Sequence, residues 1–471
     1  MKKCLAILAA VCLVTAAAVG GQYALSALPA TERPQTEDEA LQQAFSPDLE
    51  QLASLGLEPF TSQLPVLMID TGGQQLQKET VTWVDVAVLD DPSGENNILA
   101  APTQVLTATL KYRGASSYSG FDKPQYRLEF YEDDREAELD YPLCGLGADS
   151  EWVLHGPFLD RSLLRNYLMY NLSREVMEWA PGCAFCEVFV DGAYQGVYLA
   201  VEPVTDGAAR LRLSQFGLVS GATSYIVKRD RVGTEDNVLH TYGETAGYTN
   251  QELSVSYPGR SKLTETQFAW ITQDISQFEQ ALYSSSFDDP QLGYAAYIDV
   301  DSFAEYFILN EFAMNRDASG LSTYVYKELG GKLQLCVWDF NNSFDNYRWF
   351  GCETDEFQMV ENNWFDRLLQ DRYFVERVVA RYRQLRESSL SDAHIEALLQ
   401  QGLDQLGDAA ARNFALWGYT FQSSLLTYGD DGQVRDPESY EEALSMLRDT
   451  IQERLDFLDE HIDDLYALCI N

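Results

Sequence analysis

The sequence predicts an α+β protein in which a strand-rich N-terminal part precedes a mainly helical C-terminal part. From residue 64 to residue 202, short apolar or alternating segments lie between turn clusters, a pattern typical of strands. From residue 264 onward, longer segments with helical periodicity dominate. Strands that precede helices, instead of alternating with them, favour the α+β class. We therefore expect an N-terminal mixed or antiparallel sheet with one helix, followed by a helical part.

The individual elements follow from local signals. Strands are predicted at residues 65–70, 80–89 and 107–113, and a helix at residues 161–179 that ends before Pro181. Asp191-Gly192 is a strong turn signal and predicts a hairpin over residues 186–202. Residues 203–262 look irregular, apart from a strand at 224–229. Further helices are expected at residues 264–283, 299–314, 360–388, 391–416 and 438–466.

Composition excludes some classes of partner. The 471 residues include 33 Lys and Arg against 73 Asp and Glu, a net charge of −40. Nucleic acid is not expected as a partner, because phosphate backbones are bound by clustered cations. An acidic surface suits an exported, highly soluble protein or one that acts on basic partners.

The N-terminus has the features of an export segment. Met1-Lys2-Lys3 precedes an apolar run that ends near Gly21, which predicts a signal peptide or membrane anchor over residues 1–30. Residues 31–60 are acidic and predict a spacer. The bulk of the chain is thus expected outside the cytoplasmic membrane, secreted or anchored at the cell surface. An exported location permits disulfides, and Cys183 and Cys186 are candidates for closing a small loop before a strand.

A hairpin is expected to bring two carboxylates together. Gly330-Gly331 lies between two alternating segments, which predicts a β-turn between paired strands. Asp317 precedes this hairpin and Asp339 follows it, so both side chains are expected to face one cleft. Phosphoryl transfer requires such a pair, one acid for the acceptor hydroxyl and another for Mg²⁺. An acid/base pair of a hydrolase is a less favoured alternative, because amides flank Asp339.

Five segments carry motifs that occur together, in the same order along the chain, in a known family. In one segment, residues 310–346, residues 315–317 read Asn-Arg-Asp after a helix, and residues 338–341 read Trp-Asp-Phe-Asn after the hairpin. The other segments are Lys111–Phe130, Asp160–Asn166, Glu187–Glu202 and Ala411–Trp417. In combination they resemble the spore coat protein H (CotH) kinase family of atypical protein kinases.

The resemblance implies a bilobed, atypical protein-kinase-like fold over residues 61–420, with residues 421–471 as a C-terminal helical extension of the same domain. It implies ATP and Mg²⁺ or Mn²⁺ as cofactors. The implied reaction is transfer of the γ-phosphoryl group to Ser or Thr of an envelope or secreted protein. Asp317 is then expected to be the catalytic residue that orients and deprotonates the acceptor hydroxyl, and Asp339 with Asn341 to hold the metal.

The nucleotide is expected to contact a small-residue loop and buried cations. The loop after Arg113 lets backbone N–H groups and the guanidinium approach phosphate. Glu202 ends an apolar strand and therefore needs a cation, for which Lys123 and Lys228 are the candidates. The expected nucleotide contacts are Arg113, Ser116, Ser117, Lys123, Glu202 and Lys228.

The chain departs from the family motifs at two positions. Asn341 replaces the second Asp of the family's Asp-Phe-Asp motif, and Ser322 replaces an Asn that is common after the catalytic Asp. Fewer carboxylates weaken Mg²⁺ binding. The alternative is therefore a non-catalytic pseudokinase, a structural or binding protein of the cell surface with a degraded nucleotide site.

Overall fold

The protein is a mixed α+β structure, as the order of strands and helices predicts. A computed structural model describes residues 44–102, 104–214, 221–233, 236–249, 252–347, 351–426 and 434–471. The predicted export segment and the first part of the predicted spacer lie outside the described residues; the end of the spacer contains helix α1 (Leu49–Ser54). None of the helices in the described ranges combines the length and apolarity that crossing a bilayer requires.

The N-terminal strands close into a barrel. Its seven strands are arranged in the order β2-β3-β5-β6-β7-β9-β8, and a parallel pairing of β2 with β8 completes the ring. All other neighbours in the ring are antiparallel. The ranges are β2 (Val66–Asp70), β3 (Thr82–Leu89), β5 (Val105–Tyr112), β6 (Tyr126–Tyr131), β7 (Glu151–His155), β8 (Cys183–Val190) and β9 (Ala193–Val201); β1 (Thr61–Ser62) and β4 (Asn96–Asn97) form a separate pair.

Alternation along the strands fills the barrel. Val84, Val86 and Val88 of β3 are buried in one core cluster with Trp152 and Leu128 from across the barrel. A period of two places such residues on one face of a strand. The predicted mixed sheet with antiparallel neighbours is thus confirmed. Its closure into a barrel was not predicted. Closure was not predictable, because a strand's local pattern does not name a partner more than a hundred residues away.

A second, five-stranded antiparallel sheet has the order β11-β12-β10-β13-β14. The irregular structure expected at residues 203–262 is wrong for the part that forms β11, β12 and helix α4. These elements are short, so they carry too few residues for a periodic signal. The ranges are β10 (Tyr225–Arg229), β11 (Asn237–Leu239), α4 (Tyr242–Thr245), β12 (Leu253–Tyr257), β13 (Thr323–Lys327) and β14 (Gln334–Cys336).

The C-terminal part is helical, with two breaks that the sequence analysis missed. Asp371 accepts a hydrogen bond from the Tyr373 backbone N–H and starts a new helix inside the predicted helix 360–388. Gly407, with φ +42°, interrupts the predicted helix 391–416. The ranges are α2 (Ser116–Gly120), α3 (Arg165–Val176), α5 (Glu265–Leu282), α6 (Val300–Phe312), α7 (Phe365–Leu368), α8 (Arg372–Arg386), α9 (Asp392–Leu406), α10 (Asp408–Trp417) and α11 (Tyr440–His461).

Two buried ion pairs join distant parts of the chain. Arg412 of α10 donates from Nε and Nη2 to the two carboxylate oxygens of Glu187 in β8 (2.9 and 2.6 Å). Tyr194 donates a further hydrogen bond to Glu187 (2.5 Å). Arg454 of α11 pairs with Glu311 of α6, and both side chains are buried. Because a buried charge without its partner is costly, these pairs fix the barrel and the helices in place.

The cysteine prediction is wrong in its geometry. Cys183 and Cys186 both lie within β8, and not in a loop before it. Residues three apart on a strand point to opposite faces, so these two thiols cannot approach one another. Both are free thiols, and Cys186 packs inside the barrel.

Candidate active site

Three aspartates meet at one edge of the five-stranded sheet. β10 and β14 both pair antiparallel with β13, so they run in the same direction and end beside the start of β13. Asp230 follows β10, Asp317 lies in the loop that leads to β13, and Asp339 follows β14. All three line a single cavity. The expected meeting of Asp317 and Asp339 at one cleft is therefore what the fold produces.

The cavity lies between this sheet edge and the β5–β6 connection of the barrel. Its volume is about 420 Å³, within the usual range for small-molecule sites. Phe121 and Leu159 give it an apolar wall. The other lining residues are Arg113, Gly114, Ala115, Ser116, Ser117, Ser119, Gly120, Gln125, Asp230, Arg231, Asp317, Ser322, Trp338, Asp339, Asn341, Asn342 and Tyr347.

Asp339 is held in an uncommon backbone conformation. Its φ is +62°, a left-handed region that Asp tolerates better than most residues. Two residues of α3 hold the turn: the Asp339 N–H donates to Tyr170 Oη (3.1 Å), and the Phe340 N–H donates to Asn166 Oδ1 (2.7 Å). Asn315 Nδ2 donates to the Asp339 carbonyl (3.4 Å). Such over-determined backbone strain is typical of functional sites.

The Asp339 carboxyl is poorly solvated. The residue as a whole is half-buried, but its Oδ1 atom is buried and has no hydrogen-bond partner among the described residues. Burial raises the pKa of Asp339 to about 6, and the charges of Asp317 and Asp230 add to this rise. The Arg113 guanidinium and the Asn341 backbone N–H act in the opposite direction. A buried oxygen without a donor fits a bound cation.

Asp317 lies after helix α6 and faces the same cavity. Asn342 Nδ2 donates to its Oδ2 (2.9 Å). Burial raises the pKa of the Asp317 carboxyl, while the Asn342 hydrogen bond and the charge of Arg231 lower it. The Tyr347 hydroxyl also donates to Asp317 and lowers the pKa. A partly neutralised, hydrogen-bonded carboxylate of this kind is suited to accept a proton.

The predicted small-residue loop forms the opposite wall. Gly114 has φ +92°, and a Cβ atom there would lie 2.0 Å from Ser117 Oγ, so only glycine fits this turn. Ser116 and Ser117 belong to the short helix α2 and line the cavity. The Arg113 guanidinium lies 5.6 Å from the centroid of the Trp338 ring, and both residues line the cavity.

Lys123 is not brought to the cavity. It is fully buried, and its Nζ donates to the Val197 carbonyl (2.6 Å) and to Asn413 Oδ1 (2.8 Å). Burial lowers the pKa of Lys123 well below its usual value. Asn413 also accepts the Val197 N–H (3.1 Å), so Lys123 joins the barrel to helix α10. The expected contact with phosphate is therefore not made.

Glu202 and Lys228 also lie away from the cavity. The expectation that Glu202 pairs with a lysine is wrong, because its two oxygens bind Arg210 and Arg174 (3.0 Å each). The buried strand end did require a cation, and two arginines supply it in place of the expected lysine. Lys228 is half-buried beside Tyr324 of the neighbouring strand and is not a lining residue.

Asp230 and Arg231 are cavity residues that the sequence analysis missed. Asp230 directly follows the largely buried strand β10, and Asp339 comes three residues after the end of β14. That shared pattern, an acid just past the end of a buried strand, was the available signal. Only the order of strands in the sheet reveals that the two acids end at one edge.

The residues present fit a divalent cation that is bound together with phosphate. Within the described ranges, no three His, Cys, Asp or Glu side chains are arranged to hold a metal ion. Mg²⁺ is commonly held by one or two carboxylates and by substrate phosphates, and keeps several waters. Asp339, with its unpartnered oxygen, and Asn341 beside it supply ligands of that kind.

The fold and the cavity define an α+β protein with a polar, acid-lined pocket at a sheet edge. Comparison with known proteins gives the family. The family model described as CotH kinase protein matches residues 110–458, and the chain belongs to this family. The chain is also 23% identical, over 317 residues, to the inner spore coat protein H of Bacillus subtilis (strain 168). This match covers 61% of the chain and 79% of the relative. The resemblance seen in the motifs is thus confirmed.

Proposed function

We propose that the protein transfers the γ-phosphoryl group of ATP to a Ser or Thr hydroxyl of an envelope or secreted protein. The single observation that carries this proposal is the convergence of Asp317 and Asp339 on one cavity of nucleotide-compatible size. Membership of the CotH kinase family supports it. In this proposal the barrel corresponds to an N-terminal lobe and the helical part to a C-terminal lobe, with the cavity between them.

Each wall of the cavity has a proposed task. Asp317 orients the acceptor hydroxyl and takes its proton, and the Asn342 side chain holds that carboxylate in place (2.9 Å). Arg113 and the hydroxyls of Ser116 and Ser117 bind phosphate oxygens. Asp339 and Asn341 hold Mg²⁺ or Mn²⁺, which when bound offsets the negative charge of the phosphates.

The proposed location is the cell envelope or an outer coat. The Bacillus subtilis protein to which the chain is similar is an inner spore coat protein. The apolar segment over residues 1–30 supports export, as a cleaved signal peptide or as an anchor. The protein substrate would then be another surface protein.

Phosphoryl transfer is tested with the full-length protein and γ-labelled ATP in Mg²⁺ or Mn²⁺. We expect incorporation of label into the protein itself or into an added surface-protein extract. Asp317→Asn should abolish the incorporation. Asp85→Asn, which removes the same charge from an exposed site on β3, is the matched control and should retain it. Equal labelling of the wild type and Asp317→Asn would refute the assignment.

A second candidate, a pseudokinase, is favoured by two lining residues. Asn341 and Ser322 stand where the family motifs have Asp and Asn, so the cavity holds fewer metal ligands. Thermal stabilisation by ATP with Mg²⁺ or Mn²⁺ separates the candidates. If the protein is a nucleotide-binding kinase, ATP with metal should raise the melting temperature of the wild type but not that of Asp339→Ala. If the site is degraded, the melting temperature of neither protein should change.

A further inference from the structure

We infer that Asp230 is a third acid of this cavity and shares with Asp339 the divalent cation that accompanies the nucleotide. This inference rests on the proposed function and adds a residue to it. It assigns Asp230 the negative charge that position 341, an amide in this chain, does not supply.

The sheet places Asp230 and Asp339 at the same end of two strands. Asp230 directly follows β10 and Asp339 comes three residues after β14; the two strands run in the same direction, and β13 alone lies between them. Strands two places apart in a sheet are separated by roughly 10 Å. Two aspartate side chains with a metal ion between them span about that distance, since metal–oxygen bonds are about 2 Å long.

The carboxylates of the cavity outnumber its cations, since three aspartates and the two arginines Arg113 and Arg231 line it. Among the described residues, no Lys, Arg or His forms an ion pair with Asp230, Asp317 or Asp339. Asp230 Oδ1 accepts the Arg231 N–H (2.7 Å), which fixes the carboxylate at the strand end. Asp339 Oδ1 is buried without a partner. Arg113 and Arg231 interact with Asp339 and Asp317 at longer range, and the net negative charge that remains in this partly buried cavity favours a bound cation.

The same arrangement predicts that metal and nucleotide bind together. The described residues contain no group of three acidic, His or Cys side chains that is arranged to hold a metal on its own. Two carboxylates with phosphate oxygens complete the ligand set that Mg²⁺ prefers. Manganese alone should therefore bind weakly, and manganese with a nucleotide should bind tightly.

Binding of Mn²⁺ is measured by electron paramagnetic resonance, as the decrease in the signal of free Mn²⁺. The full-length protein is titrated with Mn²⁺, with and without the non-hydrolysable analogue AMP-PNP. Asp230→Asn should weaken the nucleotide-dependent binding roughly tenfold or more, by analogy with the 10- to 100-fold losses seen when groups around a metal site are replaced. Asp85→Asn controls for removal of an exposed carboxylate and should bind as the wild type. Melting curves establish that each variant is folded.

A compensating variant makes the test specific. Asn341 lines the same cavity, so Asn341→Asp in the Asp230→Asn background returns one carboxylate to it. We expect this double variant to regain most of the lost affinity. Wild-type binding by Asp230→Asn, together with loss in Asp339→Asn, would overturn the inference and leave the proposed function intact. A wild-type protein that binds no Mn²⁺ with AMP-PNP would overturn both.

Discussion

Asp339→Asn is expected to stabilise the metal-free protein at neutral pH while it removes activity. The folded state raises the pKa of this carboxyl from 3.8 to about 6, chiefly by burial. Between these values the folded protein binds more protons than the unfolded chain does, so stability falls as the pH rises. A shift of about two pH units corresponds to about 3 kcal/mol. An amide carries no charge and avoids this cost.

The gain should depend on pH in a defined way. At about pH 7.5 the carboxyl is ionised in both states, so Asp339→Asn should gain up to about 3 kcal/mol. At about pH 5 the folded carboxyl is mostly protonated, so roughly half of that gain should remain. The backbone N–H of Asn341 loses a charged acceptor, which reduces both values.

Thermal melts in EDTA at the two pH values provide the assay. The melting temperature of Asp339→Asn should exceed that of the wild type, and by more at the higher pH. Asp85→Asn, on the exposed face of β3, should shift little at either pH. A variant that melts below the wild type at about pH 7.5, or a shift that is the same at both pH values, would show that burial of the Asp339 carboxyl does not destabilise the folded protein.

Three further substitutions test the account of the fold and the site. Arg412→Met leaves Glu187 buried without its counter-charge, and should lower the free energy of unfolding by about 3–5 kcal/mol in denaturant melts. Tyr170→Phe removes the acceptor of the Asp339 N–H (3.1 Å), and should cost about 1–3 kcal/mol of stability and reduce phosphoryl transfer more than nucleotide binding. Lys123→Met should leave AMP-PNP affinity within about twofold in calorimetry, since Lys123 does not line the cavity; a complete loss from a folded variant would contradict its placement.

The approach of Asp317 to Asp339 was predictable because a turn signal lies between them in the sequence. A Gly-Gly turn forces the strands before and after it to pair, so the approach to Asp317 and the exit at Asp339 had to be near each other. The α+β class followed from element order for the same reason. Each of these conclusions depended on residues that are close in the sequence.

The missed features depend on how the chain folds in three dimensions. The burial of Glu202 indicated a cation, but nothing in the sequence favoured Arg210 and Arg174 over Lys123 or Lys228. Asp230 carried the same strand-end signal as Asp339, but its meaning depends on the order of strands in the sheet. Closure of the barrel likewise depends on a parallel pairing between β2 and β8.

The buried ion pair between Glu187 and Arg412 has a consequence for the order in which the chain folds. Synthesis delivers residues from the N-terminus, so the carboxylate of β8 emerges long before α10. Until that helix arrives, desolvation of Glu187 is opposed by an uncompensated charge, and water must remain beside this strand. Late arrival of α10 therefore delays completion of the N-terminal barrel. A fragment that stops before residue 408 lacks the guanidinium altogether, so we expect its barrel to be less stable than the barrel of the full chain.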